Sequence, residues 1–161
     1  MRLSTKGRYA VMALADLANR AQDRPVSLAT IAQNQEISLS YLEQLFARLR
    51  RHRLVTSVRG PGGGYRLARS ADEIRIADIV LAVDEPIRTT RCQPGSPEGC
   101  RRNKSRCLTH DLWEELGRQI RMFLNAVSLA DVCAGRVLGA SKLFPPRGER
   151  DEAGAELRVI K

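Results

Sequence analysis

The chain has 161 residues, with 27 Lys and Arg against 18 Asp and Glu, for a formal net charge of +9. Such a length fits one ordinary domain, or a small domain with an extension, and buries a core without help from metal or disulfides. No apolar run approaches membrane-spanning length, and the Met1 start has no apolar signal core. A soluble cytoplasmic protein with reduced thiols and no membrane partner is expected.

The charge is unevenly placed. Residues 1–70 hold 12 Lys and Arg against 4 Asp and Glu, whereas residues 71–161 hold 15 against 14. A basic lobe on a near-neutral body is the electrostatic footprint of a polyanion binder.

The first segment carries the matching pattern. Tyr9, Ala10, Met12, Ala13, Leu14 and Leu17 lie on helical spacing and predict a helix over Ser4 to Asn19. Pro25 follows its end. Ser27 is a candidate N-cap for a short second helix through Leu28, Ile31 and Ala32. After a tight connection, a third helix runs from about Ser40 to His52, with Leu42, Leu45, Phe46 and Leu49 inward. Two short helices across a tight turn describe a helix-turn-helix, whose second helix enters the major groove. Next come two short strands, 54–58 and 65–68, around Arg59-Gly60-Pro61-Gly62-Gly63-Gly64. That is a hairpin, or wing, whose glycines permit unusual dihedrals and close backbone approach. A nucleotide-phosphate loop is excluded, because no Gly-Lys-Ser/Thr and helix follow.

The predicted fold is mainly α with a small β-hairpin: a winged helix-turn-helix domain over 1–84 plus a long dimerisation helix. The candidate DNA-contacting residues are Ser38, Ser40, Tyr41, Glu43, Gln44 and Arg48 on the recognition helix. Arg59, Gly60, Gly62, Gly63 and Tyr65 are those on the wing. Glu43 has two readings. It accepts a hydrogen bond from cytosine in the major groove, or it closes a capping box onto Ser40.

Ser70 and Glu73 are spaced as a capping box before a fourth helix through Ile76, Ile79, Val80 and Val83. Thr109 is the expected N-cap of a fifth helix reaching about Val127. Its stripe of Leu112, Leu116, Ile120, Phe123, Leu124 and Val127 has little to pack on if the basic lobe has its own core. A second copy of the chain is the predicted cover, over 111–138. Ser128 caps a sixth helix to about Ala134, where Cys133 reads as a small buried hydrophobe. His52 ends the Arg-rich third helix, where a cation suits the helix dipole. Residues 139–161 read as a disordered tail.

The loop over 85–110 is the chain's second distinctive feature. It holds Cys92, Cys100 and Cys107, with seven and six residues in the gaps, and ends in Cys107-Leu108-Thr109-His110. An odd set of thiols without a secretory signal argues against structural disulfides. Three thiolates and an imidazole suit tetrahedral zinc or an iron–sulfur cluster, and spacing alone does not choose between them. No catalytic constellation is present, so no enzyme is predicted.

The blocks RLSTKGRYAVMAL, SLSYLEQLFARLR, LVTSVRGPGGGY, AVDE and RCLTHDLW occur here in order, over about residues 1–134. They closely resemble the iron–sulfur-cluster-responsive regulators of the bacterial winged-helix (Rrf-type) repressor family. The resemblance implies a homodimeric repressor of cluster-assembly genes that binds double-stranded operator DNA. It also implies one [2Fe–2S] cluster per subunit, received from the cluster assembly machinery. Cys92, Cys100, Cys107 and His110 are the implied ligands. The family pattern has five residues in each of the first two gaps, so Cys100 falls in a lengthened loop. A related nitric-oxide-sensing subgroup carries an acid near the start of its first helix, where this chain has Lys6, Gly7 and Arg8.

Overall fold

In chain order the protein is α1 (Thr5–Arg20), α2 (Leu28–Gln35), α3 (Leu39–Arg51), β1 (Val55–Val58), β2 (Gly64–Leu67), α4 (Ile76–Ala82), α5 (His110–Ala126) and α6 (Leu129–Cys133). This computed structural model describes residues 5–20, 24–84, 89, 99, 101 and 103–137.

Helix α1 is the hub. Gly7, Ala10, Ala13, Leu14 and Leu17 are buried along it. Its small side chains let neighbours approach closely, and it touches α2, α3, α4, α6 and β2. Ser27 caps α2 as expected, accepting from the Thr30 N–H at 3.1 Å. The turn into α3 passes through Glu36 in the left-handed region, φ 53°, whose N–H bonds back to the Ala32 carbonyl. That residue lets the chain reverse within a few positions. Leu42, Leu45, Phe46 and Leu49 form the inner stripe of α3. Phe46 is fully buried, and truncation to Ala would cost ~3–5 kcal/mol.

The N-cap of α3 is Ser38. Ser40 therefore lies inside the first turn, and the expected Ser40–Glu43 capping box does not form. The Ser70–Glu73 box fails too. The Glu73 N–H bonds to the Ser70 carbonyl in a plain turn, 3.1 Å, and α4 begins only at Ile76. Asp78 takes over the role, accepting from the Arg75 N–H at 3.4 Å.

The wing is antiparallel, in register Val55↔Leu67 through Val58↔Gly64. Gly60 and Gly62 at its tip have φ of 101° and 72°. The hairpin is docked to the body at Tyr65, which exchanges two backbone hydrogen bonds with Val26, 2.9 and 2.8 Å. Gly64 permits this approach, since a Cβ there would sit 2.4 Å from the Val26 carbonyl oxygen.

The C-terminal half closes back onto this body. The Ile76 N–H bonds to the Val127 carbonyl, Leu129 to Ile74, and Ala130 to Ala71. Ser128 caps α6 in a reciprocal box with Asp131. One core therefore includes Val127 and Leu129 with the helix-turn-helix residues. The C-terminal end of the predicted dimer stripe is therefore engaged within the chain. Val127 is buried in its own chain, and Phe123 and Leu124 pack against the same core. Cys133 is half-buried there, as expected of a small apolar side chain. Among the described residues no helix is long and apolar enough to cross a membrane. The predicted tail over 139–161 lies outside the described residues.

Candidate DNA interface and metal-ligand corner

The outer face of α3 is open. Ser38, Ser40, Glu43 and Gln44 are exposed, and so are Arg50 and Arg51. Tyr41 is half-buried, edge-on to Tyr9 with ring centroids 6.0 Å apart. Tyr41 thus ties the start of α3 to α1. At the wing, Arg59, Gly60 and Gly62 are exposed, while Gly63 and Tyr65 are half-buried. Tyr65 packs edge-on against Phe46 at 4.9 Å. Its ring orients the wing against the recognition helix, so its role in the fold is structural.

Arg48 is also engaged within the chain. It donates to the Val83 carbonyl at 3.2 Å and forms an ion pair with Asp84. Asp84 holds a left-handed backbone, φ 56°, at the end of the segment from which the cysteine loop departs. No sequence signal connected Arg48 to Asp84, 36 residues away.

At the other end of that loop the chain tightens into a turn. The His110 N–H bonds to the Cys107 carbonyl at 3.0 Å, placing both residues on one turn as α5 begins. Thr109 is the N-cap residue but makes no side-chain cap bond. Its hydroxyl lies 3.6 Å from the Cys107 sulfur. The imidazole of His110 is only 6% exposed, and its Nε2 is 3.1 Å from Glu114 Oε2. His110, Asp111 and Glu114 bring ligand atoms within 4.8 Å of one another. Asp111 faces Arg106 at 3.9 Å.

Cys92 and Cys100 lie outside the described residues. Described residues around them are tied to one another by local hydrogen bonds. Gly99 and Arg101 donate to the carbonyls of Lys104 and Ser105, 2.8 and 3.2 Å, and Asn103 accepts from the Ser105 N–H. Thr89 donates to the Trp113 carbonyl at 2.5 Å. It sits where a Cβ on Gly117 would fall, 2.4 Å from its hydroxyl. A glycine inside a helical pattern is a flag for close packing, but its partner was not readable. Asp84, Thr89, Glu114 and Gly117 are the residues near these sites that sequence reasoning missed.

The apolar side chains just before and along the first half of α5 remain outside the core. Leu108 is 98% exposed, Leu112 62%, Trp113 43% and Leu116 37%. Ile120 is half-buried. On the same helix Glu115 takes two bonds from Arg118, 2.7 and 2.5 Å. With Gln119, these hold its carboxyl down at about 2.

A helix-turn-helix with an adjoining wing, basic on the exposed face, defines a DNA-binding transcriptional regulator. The chain belongs to the Rrf2 family of iron-dependent transcriptional regulators, whose model matches residues 3–135. It is 60% identical over 134 residues to an HTH-type transcriptional regulator, ORF2, of Azotobacter vinelandii, covering 83% of this chain and 80% of that one. It is 54% identical over 132 residues to the regulator IscR of Yersinia pseudotuberculosis, covering 82% and 79%. Among solved structures it is similar to T. potens IscR, with TM-score 0.68, 36% identity and coverage of 84% and 88%. It is also similar to CymR, the global cysteine regulator of B. subtilis, with TM-score 0.70, 32% identity and coverage of 84% and 98%. These relatives are regulators of transcription, and none is an enzyme.

Proposed function

We propose that the protein is a homodimeric repressor that senses an iron–sulfur cluster of the [2Fe–2S] type and controls cluster-assembly genes. The observation that carries this reading is the Cys107–His110 turn at the start of α5, in a chain 54% identical to IscR. A buried imidazole one turn from a cysteine suits a soft metal centre. The donor set of Cys92, Cys100, Cys107 and His110 has the chemistry a cluster requires, since histidine can replace cysteine as a ligand. Those four residues would hold it, with the cluster assembly machinery as donor.

When bound, the cluster supplies a labile, redox-active centre whose occupancy follows cluster supply. The chain's own residues give that occupancy a route to DNA. Arg48 joins the recognition helix to Asp84, where the loop departs. Thr89 joins the loop to α5. The exposed Leu112, Trp113 and Leu116 suit burial against a second copy, which would set the separation of two recognition helices. Exposed cations along α3 and the wing neutralise phosphates, while Ser40, Glu43 and Gln44 reach base edges. Residues 1–84 would be the DNA-binding part, 85–110 the cluster loop and 111–138 the dimerising part, the last sharing its core with the first.

The test is anaerobic purification followed by visible absorbance, iron and sulfide analysis, and operator binding before and after cluster removal. A coloured protein with equal iron and sulfide, whose operator preference changes on removal, is the expected result. A colourless, zinc-containing protein with full operator binding would overturn the sensor reading and leave a winged-helix regulator with a structural metal.

A further inference from the structure

We infer that Glu114 is the positioning residue for His110, fixing its tautomer so that Nδ1 is the ligand nitrogen. The inference rests on the cluster reading above and goes beyond it, because it concerns a side chain outside the four ligands. His110 and Glu114 are one helical turn apart, with Nε2 and Oε2 separated by 3.1 Å. At that distance the carboxylate serves as the acceptor. With Nε2 as the donor, the lone pair of the ring lies on Nδ1. That nitrogen is the one nearer the main chain, and the main chain of His110 is itself bonded to the Cys107 carbonyl, 3.0 Å.

A histidine–glutamate pair four residues apart is often a minor ion pair on a helix surface. Burial separates this case from that one. His110 is 6% exposed, and with Ser128 it is one of two buried polar side chains among the described residues. A ring held out of water gains more from a fixed acceptor than an exposed one. Ligand histidines ordinarily donate their second N–H to a carboxylate or carbonyl, which sets ring orientation and raises ligand basicity. Asp111 also lies within 4.8 Å of this group, with Arg106 at 3.9 Å. Among the described carboxylates it is Glu114 that comes within hydrogen-bond distance of the imidazole, at 3.1 Å. Its negative charge also favours the oxidised, more positive state of a bound cluster, so it lowers the reduction potential.

The experiment uses full-length, cluster-loaded protein prepared with histidine carrying 15N at Nδ1 alone or at Nε2 alone. Pulsed EPR of the reduced protein should show the strongly coupled nitrogen changing its signature with the Nδ1 label. Glu114→Gln keeps an acceptor but loses the charge. It should retain Nδ1 ligation with a raised midpoint potential. Glu114→Leu should lose its cluster to a chelator roughly tenfold faster than wild type, with the Gln variant between them. Glu114 is partly exposed, so both variants should fold, which circular dichroism checks. Strong coupling that follows the Nε2 label would overturn the assignment. So would variants with wild-type potential and chelator kinetics. A wild-type protein with a reduced cluster but no coupled histidine nitrogen, or with no cluster at all, would instead remove the underlying reading.

Discussion

Gly64→Ala should undock the wing. The new Cβ would meet the Val26 carbonyl oxygen at 2.4 Å and its carbon at 2.5 Å. Both are backbone atoms, so no side chain can rotate out of the way. The φ of 158° at Gly64 lies at the edge of ordinary extended backbone, so the close approach is the decisive term. Relief requires β2 to leave residue 26. That forfeits the two Val26–Tyr65 backbone hydrogen bonds, each worth about 0.5–1.5 kcal/mol net. The edge contact between Tyr65 and Phe46 adds ~0.5–1.5 kcal/mol. The loss is therefore ~2–4 kcal/mol, capped because the rest of the core survives. Thermal melting should fall by several degrees, and operator affinity should fall with it, as the wing no longer tracks the recognition helix. Metal-binding capacity should be unchanged, since β2 docks through Val26 and Phe46 and not through the Cys107–His110 turn. Urea denaturation, operator titration and iron content on one preparation test all three. Wild-type stability with wild-type affinity would refute the docking argument.

The other predictions follow from separate parts of the molecule. Operator binding should weaken steeply with salt, with a log–log slope of about −5 or steeper for a dimer; a slope near zero would exclude contacts dominated by phosphates. Glu43 is exposed and free of the Ser40 capping box, so Glu43→Ala should leave the melting curve nearly unchanged while relaxing operator choice by ~1–3 kcal/mol at one base pair. A lowered melting point with unchanged preference would assign it a structural role instead. Cys133→Ala should leave the iron content of the purified protein unchanged and cost on the order of 1 kcal/mol. Burial pushes the Cys133 thiol up, so it should alkylate more slowly than an ordinary exposed cysteine. Hydrogen bonds from the Ser128 hydroxyl, its N–H and Arg136 hold Asp131 below the ordinary carboxylate value. Its contribution is therefore complete above that value and is lost as pH falls through the folded-state pKa. Ser128→Ala should be destabilising at neutral pH and progressively less so in acid, read from melting curves across pH 2–7.

Much of this was legible because the patterns are local. The α3 stripe of Leu42, Leu45, Phe46 and Leu49, the Ser27 and Ser128 caps, and the glycines of the wing each act within a few residues. The failures are tertiary. Val127 looked like the last member of an exposed stripe, but it is covered by Ile76 and the rest of the core. Nothing local reveals that residues 71–76 would pair with 127–130. Ser40 and Glu43 have the spacing of a cap, yet the helix starts earlier, at Leu39, because Glu36 takes the left-handed turn. Arg48 was placed on the DNA-facing side from charge and helical face, and its ion pair with Asp84 was not readable. Its partner Asp84 lies just past the end of α4, 36 residues away. Cys107 and His110 were readable as candidate ligands by chemistry, whereas Glu114 became visible only through its 3.1 Å approach to Nε2.

Helix α5 has two ends with different restraints. At Val127 it is fixed into the core of its own chain, with the Ile76–Val127 bond and the Ser128 cap beyond. At His110 it begins from the Cys107–His110 turn, with Leu108, Leu112 and Trp113 outside the core. The recognition helix shares the fixed end's core, and it reaches the loop through Arg48 and Asp84. That ion pair is partly exposed, 33% at the arginine and 72% at the aspartate, so it is worth no more than ~1 kcal/mol. A link of that size cannot hold α3 in place, since the Leu42–Leu49 stripe does so far more strongly. It is large enough to bias a two-state equilibrium about fivefold. In the proposed sensor, the stronger effect of cluster occupancy would therefore pass through the exposed end of α5 and the second subunit. Spacing between two rigid bodies would change more than the shape of either one.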